Sequence, residues 1–146
     1  MSRGSVRRAV RIARPASEVW EAIGDPARIP EWFHGIVAAS MEDTPDGLRR
    51  VVTTGMGIPI PEEIVTNDPI ARRFQDRIVG PMVREHLSTL DVHDLGDGTS
   101  LAVYAADAEP SAMALIIAGA AGSALGHLRD RLEAAASVSD HQGGTG

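Results

Sequence analysis

The sequence predicts an α+β domain in which an antiparallel sheet of about seven strands is covered by one long C-terminal helix, with two short helices after the first strand. Residues 36–107 hold strand-like segments separated by proline and glycine turn signals. Residues 111–136 carry apolar side chains at helical spacing and follow Pro110. A run of strands that ends in a helix is typical of an α+β architecture, and this helix is the large element available to cover the sheet.

The N-terminal part of the chain predicts a strand followed by two short helices. Apolar and charged side chains alternate over residues 6–13, which favours a strand that ends at Pro15. Residues 16–23 predict a short helix with a hydroxyl near its start. Gly24-Asp25-Pro26 breaks the chain, and residues 27–33 predict a second short helical segment.

The middle of the chain predicts six further strands. Turn signals with a physical basis separate them, since proline presets φ and glycine tolerates positive φ. One segment contains two prolines, which suits an edge or irregular strand. The predicted strands cover residues 36–42, 48–54, 58–65, 71–79, 83–93 and 101–107.

The predicted C-terminal helix is unusual because its middle is built from small residues. Gly119, Gly122 and Gly126 fall within two turns, and a glycine costs about 1 kcal/mol relative to alanine in a helix. Two explanations stay open: close packing of the backbone on the sheet, or free space beneath the helix. His127 and Arg129 follow at once, which argues against a membrane span. The face predicted to turn inward holds Met113, Ile117, Ala120 or Ala121, Ala124, Leu128 and Leu132.

Composition narrows the function classes. A chain of 146 residues predicts a single domain, taken as residues 1–136, with a polar and disordered tail over residues 137–146. The net charge of −6 argues against a nucleic-acid partner, and the absence of cysteine excludes disulfides and thiolate metal sites.

No histidine or carboxylate spacing resembles a zinc site, and no phosphate-binding glycine loop occurs, so we expect neither metal nor cofactor. The N-terminus lacks the apolar run of a signal peptide, so we expect a cytoplasmic protein.

Several short motifs resemble the START-like superfamily with its helix-grip fold, and most closely the bacterial polyketide cyclase/dehydrase-type (SRPBCC) proteins, over about residues 5–135. The resemblance implies a curved sheet that grips the terminal helix and leaves a cavity for a hydrophobic small molecule, with Trp32 near its mouth. It also implies either cyclisation or dehydration of polyketides, or carriage of lipids or sterols. The residues that carry the resemblance are Pro15, Val19-Trp20, Asp25-Pro26, Pro30 with Trp32, Gly80-Pro81, Gly98-Thr99 and Pro110.

The candidate catalytic residues Asp76, His86 and Glu62 lie on three predicted strands. Alternation over residues 73–79 places Asp76 on the apolar face with Phe74 and Ile78. A hairpin centred on Pro81 would place His86 opposite Asp76, and the preceding turn would place Glu62 on its other side. Two carboxylates in a low-dielectric site raise the pKa of one of them, and an imidazole beside them suits acid/base chemistry. A slip of one residue in either turn would break this layer.

Two functions follow as hypotheses. The first is a cofactor-free cyclase, dehydratase or isomerase of a polyketide-like or other hydrophobic carbonyl substrate, with Asp76 as base and His86 and Glu62 sharing the proton. The second is non-catalytic binding or transport of a lipid or other hydrophobic small molecule. The oligomeric state, including a homodimer, stays open. The predicted ligand-binding residues are Trp32, Phe33, Met56, Ile58, Ile60, Phe74, Ile78, Met82, Ser88, Leu90, Met113, Ile117 and Ala121.

Overall fold

The structure, a computed structural model, describes the backbone of residues 2–143 and the surroundings of side chains 2–138. It confirms the predicted order of a strand, two short helices, six further strands and a long helix. The strands are β1 (Gly4–Ile12), β2 (Ile36–Thr44), β3 (Gly47–Thr54), β4 (Pro59–Asp68), β5 (Arg73–Ile78), β6 (Glu85–Asp94) and β7 (Ser100–Glu109); the helices are α1 (Ala16–Ile23), a 3₁₀ helix (Pro26–Glu31) and α2 (Ser111–Gly143).

The seven strands form one antiparallel sheet in the order β1-β7-β6-β5-β4-β3-β2. The long helix α2 packs on the β1 and β7 end of this sheet. The inward side chains of β7 and α2 are small and allow these two elements to approach closely, because alanine methyl groups occupy little space between backbones. The buried alanines are Ala102, Ala106 and Ala108 on β7 and Ala114, Ala118, Ala121 and Ala124 on α2.

The surroundings of the α2 glycines support close packing at one position. A methyl group on Gly122 would lie 2.9 Å from Cγ of Arg8, so this glycine allows α2 to pack closely on β1. A methyl group on Gly119 or Gly126 would meet nothing within 4 Å. Gly119 is exposed to solvent, so its open surroundings do not lie beneath the helix.

The C-terminal boundary of α2 differs from the prediction. The helix continues to Gly143 rather than ending at residue 136, so residues 137–143 are helical. Residues 144–146 of the predicted tail lie outside the described residues. By length and composition, Ser111–Val138 is apolar enough to cross a membrane, a property shared by core helices of soluble proteins. In this structure one face of α2 is buried against the domain through Ala118, Leu125 and Leu128.

Two strand registers differ from the prediction. Asp76 pairs with Ser88 on β6 and with Ile64 on β4, so neither His86 nor Glu62 lies directly opposite it. The connection from β5 to β6 spans residues 79–84, longer than a tight turn centred on Pro81. Both errors are displacements by an even number of residues, so the predicted side chains stay on the inner face although their partners change.

The different surroundings of the α2 glycines lead to a first prediction. Gly126→Ala should increase the free energy of unfolding by about 0.5–1 kcal/mol, because alanine favours the helix and its methyl group meets open space. Gly122→Ala should gain less or lose stability, because its methyl group meets Arg8. Urea denaturation measures both, and equal gains at the two positions would contradict the described packing of α2 on β1.

Candidate functional site

A pocket of about 480 Å³ lies between α2, the β2–β4 part of the sheet and the segment that follows the 3₁₀ helix. Its volume falls in the range typical of small-molecule sites. The walls are mainly aliphatic and aromatic, and Glu62 is the acidic residue among its described lining residues. The lining comprises Phe33, His34, Gly35, Ile36, Val52, Thr54, Ile60, Glu62, Ile78, Met82, Met113, Ile116, Ile117, Ala120 and Ser123.

The Glu62 carboxylate belongs to a buried charged cluster with Arg50 and Asp76. Arg50 lies opposite Glu62 on β3, and its Nη2 is 3.2 Å from Glu62 Oε2 and 3.9 Å from Asp76 Oδ1. All three side chains are buried, Arg50 to 3% exposure. Arg50 Nη1 also donates to the carbonyl oxygen of Pro26 at 3.1 Å. The cluster thus joins three strands to the start of the 3₁₀ helix.

Arg50 was not among the residues predicted for the site. It lies in the sequence Leu48-Arg49-Arg50-Val51, where two adjacent arginines resemble a solvated surface. The available signal was alternation, because Arg50 shares a strand face with Val52, which is buried. An inward arginine on this face needs a carboxylate partner, and Glu62 and Asp76 supply two.

Burial is the main reason that the pKa of Asp76 is raised well above its usual value. The neighbouring Glu62 raises it further through its charge and a side-chain hydrogen bond, while Arg50 acts in the opposite direction. These effects favour the protonated form of Asp76. With Asp76 protonated, the Arg50–Glu62 ion pair has no net charge, which makes its burial tolerable.

His86 occupies the gap where β5 and β6 separate. The backbone N–H of Ile78 donates to His86 Nδ1 at 2.8 Å, so the ring proton resides on Nε2. Nε2 lies 2.7 Å from Ser88 Oγ, which also accepts a hydrogen bond from the Tyr104 hydroxyl at 2.6 Å. Burial lowers the pKa of His86 to about 4. The imidazole is neutral near pH 7 and both of its nitrogens have partners.

A second, smaller cavity of about 40 Å³ shares the lining residue Phe33 with the pocket. We call it the inner chamber. Two of its lining residues, Trp32 and Arg50, each contain a buried nitrogen without a hydrogen-bond partner, Nε1 and Nε respectively. Burial raises the pKa of the Tyr104 hydroxyl, which also lines it. The chamber is lined by Ile23, Ile29, Trp32, Phe33, Arg50, Phe74, Asp76, Leu90 and Tyr104.

The structure divides the predicted ligand-binding residues into three groups. Six line the pocket: Phe33, Ile60, Ile78, Met82, Met113 and Ile117. Trp32, Phe74 and Leu90 line the inner chamber instead, and Ser88 lies beside it, bonded to Tyr104. Met56, Ile58 and Ala121 line neither cavity; Met56 is 88% exposed, whereas Ala121 is packed on the sheet side of α2. Their roles in binding, like the catalytic roles of Asp76, His86 and Glu62, stay predictions.

His34, one of the residues that line the pocket, contacts a histidine on α2. The imidazoles of His34 and His127 pack with ring centroids 3.7 Å apart, joining the loop before β2 to α2. Within residues 2–138, no group of three histidine or carboxylate side chains is arranged to hold a metal ion.

The chain matches the family described as polyketide cyclase / dehydrase and lipid transport over residues 3–133, and it belongs to this family within the START-like superfamily. No curated protein matches the chain. Among solved structures, XoxI from Bacillus cereus is 20% identical with a TM-score of 0.78, covering 88% of this chain and 94% of XoxI. A Thermobifida fusca protein is 30% identical with a TM-score of 0.61, covering 70% of this chain and 71% of that one.

The fold also resembles an aromatase/cyclase. The Zhui aromatase/cyclase from Streptomyces sp. R1128 is 19% identical with a TM-score of 0.62, covering 73% of this chain and 68% of Zhui. At this identity the likeness concerns the fold alone.

The raised pKa of buried Asp76 leads to a second prediction. In the folded protein this carboxyl group lowers the stability as pH rises above the ordinary carboxyl pKa of about 4, by at most about 1.4 kcal/mol per pH unit. His86 acts in the opposite direction over the same range, because its pKa is lowered to about 4 and the folded protein binds fewer protons there than the unfolded chain. Asp76→Asn keeps the His86 contribution and lacks that of Asp76, so its stability should rise relative to that of the wild type as pH rises from about 4 toward 7.

Urea denaturation of both proteins between pH 4 and 7 measures this difference. Asp46→Asn, at an exposed turn, is the matched control and should follow the wild type. Parallel pH profiles for the wild type and Asp76→Asn would show that Asp76 is not protonated in the fold.

Proposed function

We propose that this protein binds an apolar small molecule with a carbonyl group in the 480 Å³ pocket and catalyses its cyclisation, dehydration or isomerisation by acid/base chemistry. The observation that carries the proposal is Glu62, a carboxylate that lines a mainly apolar pocket and contacts Asp76, a carboxyl group whose pKa is raised by burial. Such a pair can remove a proton at one point and return it at another. No cofactor is needed for these reactions.

Glu62 serves as the base in this proposal because its side chain lines the pocket. Its carboxylate takes a proton from the carbon next to the carbonyl, and the resulting enolate attacks a second carbonyl or expels a β-hydroxyl group. The protonated Glu62 then returns this proton to the new alkoxide or to the departing hydroxyl group, which leaves as water, and Glu62 is a carboxylate again. Asp76, which is hydrogen-bonded to Glu62, keeps its own proton throughout. Arg50 fixes the orientation of Glu62 through the 3.2 Å contact. This assignment moves the base from Asp76, the residue favoured by the sequence, to its neighbour.

Family membership supports the reaction class, since the family description includes polyketide cyclase and dehydrase. The fold shared with an aromatase/cyclase agrees with it. The pocket geometry adds the apolar walls and the single acid cluster that such a substrate requires.

Binding without chemistry is the second candidate, and one observation favours it. Glu62 is tied to Arg50 in a buried ion pair, an arrangement that also serves as a purely structural contact. The family description includes lipid transport as well.

The proposed base leads to a third prediction, which needs no knowledge of the natural substrate. 2-Acetylnaphthalene is an apolar ketone that fits a pocket of this size, and its methyl protons exchange with deuterium when a base removes them. The wild type should accelerate this exchange, and Glu62→Gln should lower the enzymatic rate by about 10²-fold or more. Proton NMR in heavy water follows the methyl signal.

Glu63→Gln is the matched control, because Glu63 lies next in sequence on the opposite face of β4, beside Arg77. It should exchange at the wild-type rate. An unchanged rate in Glu62→Gln would remove Glu62 as the base. If the wild type binds the ketone without accelerating exchange, the result would contradict the proposed base chemistry and favour binding without chemistry.

A further inference from the structure

We propose that the mouth of the 480 Å³ pocket docks on the surface of an uncharged lipid layer, from which an apolar ligand enters the pocket directly. The inference goes beyond the proposed function and does not depend on any chemistry at Glu62. The protein lies on the lipid surface in this proposal and does not span it.

Exposed apolar side chains mark the mouth of the pocket. Ile116 on α2 and Met82 in the β5–β6 connection line the pocket and are nevertheless 62% and 40% exposed. Ala120 and Ser123 also line the pocket and are exposed, and they follow Ile116 at helical spacing. One edge of the mouth is therefore an exposed strip of α2 without charged side chains.

The hairpin between β3 and β4 adds two exposed apolar side chains, Met56 at 88% and Ile58 at 50% exposure. The Gly55 N–H donates to the Gly35 carbonyl oxygen at 3.0 Å, and the Ile58 N–H donates to Thr54 Oγ1 at 3.2 Å. Gly35 and Thr54 both line the pocket, so these bonds hold the hairpin at the mouth. The apolar rim, as we call this exposed set, comprises Met56, Ile58, Met82 and Ile116.

The segments that contribute to the pocket and its rim carry no charged side chains. The chain contains 14 basic and 20 acidic residues, yet Asp, Glu, Lys and Arg are absent from residues 33–41, 51–61, 78–83 and 110–128. An exposed apolar patch of this kind is typical of a surface that contacts a membrane or another protein. Since the chain has a net charge of −6 and its rim offers no cation to a phosphate group, the charge favours uncharged over anionic lipid.

The cavity inside the rim favours lipid over a second copy of the chain or another folded partner. The core of a stable protein interface is packed as densely as a protein interior. A folded partner seated on the rim would leave the 480 Å³ pocket unfilled at the contact, and an empty cavity costs free energy. Fluid acyl chains adapt to an irregular rim, and an acyl chain or an apolar ligand fills the cavity.

Flotation with vesicles of dioleoylphosphatidylcholine tests the proposal on the full chain. We expect the wild type to float with the vesicles, with an affinity that stays the same between about 50 and 500 mM salt, because apolar contacts are not screened. Replacing about 30% of the lipid by the anionic phosphatidylglycerol should not strengthen binding, since the protein is itself negatively charged.

Two rim variants, each with a matched control, localise the contact. Met56→Gln and Ile116→Gln should each weaken vesicle binding about tenfold, the effect of keeping one large apolar side chain in water. Leu115→Gln is the control for Ile116, because Leu115 is 59% exposed on the same helix but lies outside the pocket lining. Ile70→Gln is the control for Met56, because Ile70 is 92% exposed in the turn at the opposite end of β4. Both controls should keep the wild-type affinity.

Three outcomes would overturn the inference. The first is a wild type that does not float with the vesicles. The second is an equal loss of binding in the rim variants and their controls, which would show unspecific adsorption. The third is a lipid-free dimer in sedimentation velocity that Met56→Gln and Ile116→Gln dissociate, which would assign the rim to a second copy of the chain. The exchange assay at Glu62 uses a dissolved ketone without vesicles, so its result fails or succeeds separately from this inference.

Binding to the vesicles by the wild type and both controls, with the loss confined to the two rim variants, would support the inference.

Discussion

The buried cluster of Arg50, Glu62 and Asp76 is the constraint on which the site depends. Removing Arg50 or Glu62 would leave the other charge buried without compensation, at a cost of about 3–5 kcal/mol for a broken buried pair. The cluster spans β3, β4 and β5, and Arg50 extends it to the carbonyl oxygen of Pro26. The ionisable groups are therefore positioned by the same contacts that join the 3₁₀ helix to the sheet.

The position of α2 explains why space exists next to this cluster. The helix approaches the sheet closely at β1 and β7, where Gly122 meets Arg8 and alanines fill the interface. On the β2–β4 side, larger side chains such as Met113 and Ile117 face the pocket rather than the sheet. Close packing at one end of the sheet thus leaves a cavity at the other, and Glu62 lies at its wall.

Element types and inward faces could be predicted from the sequence, because alternation and helical spacing report local geometry. Asp76 on the inner face of β5 is one example. The pairing partners of the strands could not be predicted in the same way. They depend on the length of the connection over residues 79–84 and on the bulge between Ile64 and Thr66. No residue pattern in the sequence indicated either feature. His86 consequently meets Ile78 and Ser88 instead of Asp76. Arg50 was missed because its burial depends on carboxylates that arrive from two other strands.

The central claim is that a mainly apolar pocket lies beside a buried carboxyl group, Asp76, whose pKa is raised well above its usual value. A carbon-13 NMR titration of labelled aspartate side chains tests it most directly, with Asp76→Asn assigning the signal. The account predicts that Asp76 keeps the chemical shift of a carboxylic acid at pH 7, and that a pocket-bound ketone perturbs it more than the signal of exposed Asp46. A signal for Asp76 that titrates at the ordinary aspartate value, unaffected by ligand, would contradict the account.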